Sequence, residues 1–193
     1  MGYFTQTVNV DTSYQEISRL DFLKSLVKDL KVLHVGFVDY PITKPKKNLH
    51  LRIASECSRI DGIDPNASEE VKQILAVPNG DIYDAWVDVP DDYDIIIVPE
   101  VIEHVDNVAL FLQQLDKVRG KLIITAPCAY KLSNNFKEEQ GVYIETVHPD
   151  HNCWYTPYTL KNVINKYSKT RQVTSMHWVV GSIVAICEDI DDV

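Results

Sequence analysis

Apolar and polar positions follow two different periods along this chain. Short, nearly continuous apolar runs mark strands buried on both faces. They recur at Lys31-Val-Leu-His-Val-Gly36, Ser58-Arg-Ile-Asp-Gly-Ile63, Tyr93-Asp-Ile-Ile-Ile-Val98 and Gly120-Lys-Leu-Ile-Ile-Thr125. Residues 81–87 predict a further strand, and 172–180 and 182–187 predict two more that meet at Gly181, close enough to pair as an antiparallel hairpin. Helical spacing takes over between these runs. Tyr14, Ile17, Leu20 or Leu23, and Leu26-Val27 form an apolar stripe that predicts a helix over 12–28, with Asp11 as its cap. Shorter helices are predicted over 49–57 and from Ser68-Glu-Glu-Val71 to about Val77, the latter with a serine cap and early acids. A helix follows Val98 and runs to about Val118. Another starts at Thr156-Pro157 and ends near Lys169.

Strands and helices alternating in this way predict an α/β fold, a three-layer sandwich with a seven-stranded, mostly parallel sheet and an antiparallel C-terminal hairpin strand. Right-handed crossovers place helices on both faces. Ligands in such sheets bind outside the carboxyl ends of the strands. That rule selects Gly36 onward, Asp64, Asp81 to Asp84, Pro99 to His104, and Pro127 onward. A length of 193 residues suits one domain with a full core. Within it, residues 1–30 read as an N-terminal helical extension. Residues 128–155, rich in His, Asn, Tyr and Pro, read as a substrate or lid loop, and 188–193 as an acidic tail.

Charge and composition narrow the functional classes. Asp and Glu exceed Lys and Arg by 28 to 19, a formal net charge of -9, which argues against a broad electrostatic grip on nucleic acid. The one basic stretch, Lys44 to Arg52, reads either as a solvated loop and helix start or as an anion or nucleic-acid contact. No apolar run approaches the roughly 20 residues that span a bilayer, and no signal peptide is expected. The four cysteines (Cys57, Cys128, Cys153, Cys187) form no Cys-x-x-Cys pair, so reduced thiols and a cytoplasmic location are expected. Glycine is scarce: seven residues, about half the ordinary share of roughly 7%.

Four segments together resemble class I S-adenosylmethionine-dependent methyltransferases, whose fold is Rossmann-like. They are Val32-Leu-His-Val-Gly36, Ile60-Asp-Gly-Ile-Asp64-Pro-Asn, Tyr93 to Val105, and Gly120 to Pro127. Their order matches strands one, two, four and five of that family, and the resemblance covers roughly residues 15 to 187. It implies S-adenosylmethionine as cofactor, held by Gly36, Asp64, Asp81, Asp84 and Glu100. Asp64, closing the second strand, is placed to accept hydrogen bonds from a ribose diol; otherwise it caps the next helix. Asp81 and Asp84 stand where the family often offers an acid to the adenine amino group, or else are exposed turn acids. The family's first loop usually holds several glycines. Here it reads Gly36-Phe37-Val38-Asp39-Tyr40-Pro41, and Phe37 and Val38 are expected to crowd the cofactor. No G-x-G-x-x-G follows the first strand, which disfavours dinucleotides.

Glu100, Glu103 and His104 form a Glu-x-x-Glu-His cluster, predicted to share one face of a helix start. Two carboxylates and an imidazole suit Mg²⁺ or Mn²⁺. The cluster resembles that of metal-dependent 2'-O-methyltransferases of small-RNA ends, in which a later histidine, five residues before a threonine, completes the site; His151 has that offset from Thr156. The resemblance implies metal ligands at Glu100, Glu103, His104 and His151. The ion would lower the pKa of a substrate hydroxyl, and His104 or His151 would take the proton. The same residues also suit a metal-free pocket wall or a helix cap. A zinc site from His148, His151 and Cys153 has the right ligand types but poor spacing. Trp154, Tyr155 and Tyr158 line a pocket or pack the loop. The leading expectation is O-methylation of a small-molecule or glycan-like acceptor. The others are a degenerate fold binding a nucleoside or a protein partner, and an RNA-end methyltransferase.

Overall fold

The computed structural model describes residues 5–39, 42 and 44–190. In chain order the elements are α1 (Arg19–Val27), β1 (Lys31–Val35), α2 (Leu49–Ile53), β2 (Arg59–Ile63), α3 (Glu69–Leu75), β3 (Ile82–Tyr83), β4 (Asp92–Pro99), α4 (Val108–Leu115), β5 (Arg119–Pro127), β6 (Phe136–Glu139), β7 (Val142–Glu145), α5 (Pro157–Tyr167), β8 (Arg171–Val179) and β9 (Ser182–Asp189). Seven strands form one sheet in the order β3-β2-β1-β4-β5-β9-β8. Strands β3, β2, β1, β4 and β5 run parallel, and β9 is antiparallel to both β5 and β8. The expected Rossmann-like sandwich and its antiparallel strand are present. Among the described residues, no helix is long and apolar enough to cross a membrane.

The apolar runs form strands because both sheet faces are covered. Along β4, Ile96 and Val98 pack with Leu112 and Leu115 of α4 and Leu160 and Ile164 of α5. Their neighbours Ile95 and Ile97 pack with Phe22, Leu23 and Val27 of α1 and Ile53 of α2. Successive side chains of a strand point to opposite faces, so a run with no polar alternation is what two covered faces require. Each fully buried Ile or Leu here contributes roughly 1.5–3 kcal/mol of burial energy.

Three expected elements change. Helix α1 starts at Arg19, not Thr12: Ser18 caps it by accepting the Asp21 N–H, while the Asp11 side chain accepts the Ser13 N–H. The backbone of Asp11 pairs with Met176 and Trp178 at the edge of β8, which holds residues 12–17 in turns. The helix expected directly after β4 begins only at Val108, capped by Asn107. Glu100 has φ 56°, and a turn occupies the residues between. Finally, the segment 128–155 is not all loop. β6 and β7 form a hairpin whose turn residues, Gln140 and Gly141, have φ 53° and 81°. A two-residue turn with both φ values positive is the favoured hairpin connection, and Gly141 was the sequence signal for it. Of the acidic tail, residues 191–193 lie outside the described residues, as do 1–4 of the N-terminal extension.

Gly36, directly after β1, has φ +70°, and a Cβ there would collide with Val101 in the turn after β4. Gly36→Ala is therefore expected to destabilise the protein by about 1–3 kcal/mol, read as a lower thermal unfolding midpoint. An unchanged midpoint would show that the loop adopts another conformation.

Candidate active site

The carboxyl ends of β1, β2, β3, β4 and β5 lie along one edge of the sheet. The start of antiparallel β9 joins them there, since Ser182 pairs with Pro127. Two groups of polar side chains stand along this edge.

The first surrounds the end of β2. Asp64 is 5% exposed. Its Oδ2 accepts the Val38 N–H at 3.1 Å and its Oδ1 accepts the Asn66 N–H at 2.8 Å. Burial raises its pKa, against the lowering effect of those two N–H groups. Asp84 follows Tyr83, the register partner of Ile63, so it stands beside Asp64 and pairs with Lys72 at 3.0 Å. Asp81 does not join them. Its backbone bonds to Gly62 and to the Asp61 carboxylate, and its own carboxylate pairs with Arg59, below the strand ends. Of the two acids proposed for adenine, only Asp84 therefore stands at the cleft.

The Phe37 side chain does not occupy the cleft in the way expected. It is 1% exposed and packs with Ala67, Val71 and Leu75. It also lies over Gly62, where a Cβ would stand 2.9 Å from its ring. Val38 is half-buried against the same cluster. Asn48 clamps this loop, donating to Phe37 O at 2.8 Å and to Asp39 Oδ2 at 3.2 Å. Tyr40 and Pro41 lie outside the described residues.

The second group surrounds the end of β4. Glu100 is engaged on both oxygens: Oε1 accepts the Thr125 hydroxyl at 2.7 Å, and Oε2 pairs with Arg19 at 3.1 Å. Glu103 is 1% exposed, and neither carboxylate oxygen has a hydrogen-bond partner. Burial first, and then the Glu100 charge, pushes its pKa up to about 8. His104 Nε2 and His151 Nε2 each lie 4.0 Å from Glu103 Oε1. His104 Nδ1 donates to the Asp150 carbonyl at 3.2 Å. A carbonyl only accepts, so Nδ1 carries the proton of this bond and Nε2 faces the cluster. Burial first, and then the neighbouring imidazoles, lowers the pKa of His151. His148 completes a triad: one nitrogen from each of His104, His148 and His151 lies within 4.8 Å of the others. Asn152 fastens the loop onto β4's end, bonding Glu103 O, His104 O and the Asp106 carboxylate.

Among the expected metal ligands, Glu103, His104 and His151 come together, while Glu100 is committed to Thr125 and Arg19. His148 joins them, but Cys153 does not. A pocket of about 440 Å³ opens beside the cluster, lined by Arg19, Glu100, Asn135, His148, His151 and Trp154 among others. The aromatic cluster divides. Trp154 borders the pocket and donates to Glu145, Tyr155 is buried in the core, and Tyr158 is exposed on α5. Arg19 and Thr125 were missed from the sequence, because nothing local marks a helix-start arginine or a strand threonine as partners of Glu100.

No protein-family model and no curated protein matches the sequence. Solved structures do. The N-methyltransferase NodS of Bradyrhizobium japonicum WM9, in complex with S-adenosyl-l-homocysteine, aligns over 89% of this chain and 84% of its own, with 11% identity and a TM-score of 0.56. An S-adenosylmethionine-dependent methyltransferase from Mesorhizobium loti aligns over 83% and 91%, with 11% identity and a TM-score of 0.54. The magnesium protoporphyrin IX methyltransferase ChlM of Synechocystis PCC 6803, with bound S-adenosyl-l-homocysteine, aligns over 87% and 80%, with 13% identity and a TM-score of 0.51. At these identities the likeness speaks to architecture, and this chain has the fold of the class I S-adenosylmethionine-dependent methyltransferases.

Proposed function

We propose that this protein is an S-adenosylmethionine-dependent methyltransferase that methylates an oxygen of a small-molecule or glycan-like acceptor. The observation that carries this reading is the shared edge. Asp64, fixed at the end of β2, and the pocket beside His151 open along one line of strand ends, in a fold whose neighbours bind S-adenosyl-l-homocysteine. The residues fit a nucleoside. Each Asp64 oxygen accepts one backbone N–H and keeps a further lone pair for a ribose hydroxyl. Asp84 lies beside it, on the side given to adenine. Glu100, at the end of β4, faces the pocket next to Arg19.

Bound there, the sulfonium supplies an electrophilic methyl group. The chain's part is to hold an acceptor hydroxyl in line with it, since positioning provides much of the rate in such displacements. His151 borders the pocket, and its lowered pKa keeps it neutral at physiological pH, so it can take the hydroxyl proton. His104 is the second candidate base, with its Nε2 facing the cluster.

Calorimetry with S-adenosylmethionine and S-adenosyl-l-homocysteine tests the reading. Binding of both is expected. Asp64→Ala should weaken it by about 1–3 kcal/mol through the lost ribose bonds; unchanged affinity would remove Asp64 from the site. Failure of both ligands to bind at millimolar concentration would overturn the enzyme reading. It would favour a non-catalytic module, for which the existing Asp64–Val38 bond and the glycine-poor loop speak.

A further inference from the structure

We propose that His104, His148 and His151 form a site for one divalent transition-metal ion of the imidazole-preferring class, zinc foremost, with Glu103 seated behind them as a further carboxylate. This inference does not rest on methyl transfer; an imidazole lone pair given to the ion is not free to take a proton, so the base role of His104 and His151 belongs to the metal-free protein.

Geometry provides the first support. Tetrahedral coordination at roughly 2.0–2.1 Å places neighbouring donor atoms about 3.4 Å apart. The three imidazole nitrogens already lie within 4.8 Å of one another, so they need draw in by roughly 1.4 Å at most. His104 and His148 come from opposite sides of the site, one after β4 and the other on the segment leading to α5. Asn152 holds those two segments together through Glu103 O and His104 O, independently of the imidazoles.

Glu103 is the second, independent observation. It is 1% exposed, with both oxygens unpartnered, and Oε1 faces His104 Nε2 and His151 Nε2 at 4.0 Å each. A carboxylate buried without hydrogen bonds is costly, and a cation among those imidazoles offsets the cost. His104 is also oriented in the manner of a metal-binding imidazole, with Nδ1–H donated to a backbone carbonyl and Nε2 aimed at the cluster. His148 is the most exposed of the three. Its Nδ1 lies 3.3 Å from the Asp150 N–H, a long contact that coordination would replace.

The donor set selects the ion. Three imidazoles and one carboxylate suit zinc and its transition-metal neighbours, whereas Mg²⁺ favours an octahedron of oxygens. Glu100, which would have supplied the second carboxylate of a hard-ion site, is bound by Thr125 and Arg19. His148 and His151 line the pocket, so an ion held by these imidazoles would border the space assigned to the acceptor.

The test is metal titration of the full chain after EDTA stripping, with Co²⁺ as a visible probe and Zn²⁺ measured against a chromophoric chelator. One equivalent of Co²⁺ should give visible absorption bands that Zn²⁺ abolishes. His148→Ala and His104→Ala should each weaken Zn²⁺ binding by roughly 100-fold or more, whereas Glu100→Gln, which removes a nearby charge but no donor, should weaken it far less. Unfolding midpoints in EDTA confirm that the variants fold, and His148→Ala is exposed enough to do so. Absence of a saturable site overturns the inference. So does a site that survives His148→Ala and His151→Ala, or one from which Mg²⁺ displaces Zn²⁺ and which Glu100→Gln abolishes. S-adenosyl-l-homocysteine calorimetry on the same preparation keeps the two readings apart: cofactor binding without metal sinks only this one, and metal binding without cofactor sinks only the methyltransferase reading.

Discussion

Arg171→Ala is expected to destabilise the protein by about 3–5 kcal/mol, the range seen when one partner of a buried charge network is removed. The Arg171 side chain is 1% exposed, at the start of β8. Its guanidinium donates to Leu115 O at 3.0 Å, to Gly120 O at 3.1 Å and to Val118 O. Leu115 ends α4, and the three acceptors follow the chain from there into β5. Carbonyls at a helix C-terminus have no partner within the helix; Leu115 O takes the Val118 N–H at 3.1 Å, and the guanidinium adds a second donor there. Asp189 lies 3.4 Å away and Asp116 3.9 Å away, so the charge is balanced locally. Burial lowers the arginine's pKa, and the two acids oppose that shift. Alanine would remove the guanidinium donor from all three carbonyls. A domain's whole stability is about 5–15 kcal/mol, so the loss is a large fraction of it. Urea unfolding should show a much lower midpoint. Arg171→Lys should lose most of the same amount, because one ammonium cannot span three carbonyls in a fork. A variant within about 1 kcal/mol of the parent would overturn this account.

Glu103→Gln should change how stability depends on pH. The carboxyl sits at about 8 in the folded protein against an ordinary 4.5, because burial and the Glu100 charge disfavour its ionised form. Between those values the folded chain binds more protons than the unfolded one, so stability falls as pH rises. The favourable contribution of the neutral carboxyl is fully present below about 4.5 and is lost as pH rises through 8. Its full extent is roughly 3–5 kcal/mol. Glutamine carries no charge at any pH and removes the slope. In EDTA, the variant should match the parent within about 1 kcal/mol at pH 5 and exceed it by several kcal/mol at pH 9. His151 titrates in the opposite sense, its pKa lowered by burial, and because its Nε2 lies 4.0 Å from Glu103 Oε1 the difference between variant and parent reports the two groups together. Parallel pH profiles for the two proteins would show that Glu103 is not buried as a carboxyl.

The sandwich was legible in the chain because its information is local. Ile95 to Val98 and Leu122 to Ile124 read as strands from their own side chains, and two covered faces impose that pattern wherever it occurs. The first loop was legible only in part. Its single glycine was visible, but the Phe37 side chain packs over Gly62 while Asn48 and the Asp64 carboxylate bind the two sides of the peptide that follows Phe37. The helix predicted at Glu100 was displaced to Val108, because hydrogen bonds to Thr125 and the positive φ of Glu100 turn the chain first.

By itself, then, the sequence determined the strands, their likeness to the methyltransferase sheet, and the acids and imidazoles at the strand ends. Those choices depend on side-chain type and on the spacing of near neighbours. Which of these groups face one another was decided only in the folded protein. Arg19 takes Glu100 away from Glu103, Arg59 draws Asp81 below the cleft, and Asn152 brings His148 and His151 over His104. Each of these is a contact between segments far apart in the chain. A contact of that kind is set by how helices and strands pack, and no local pattern of residues records it.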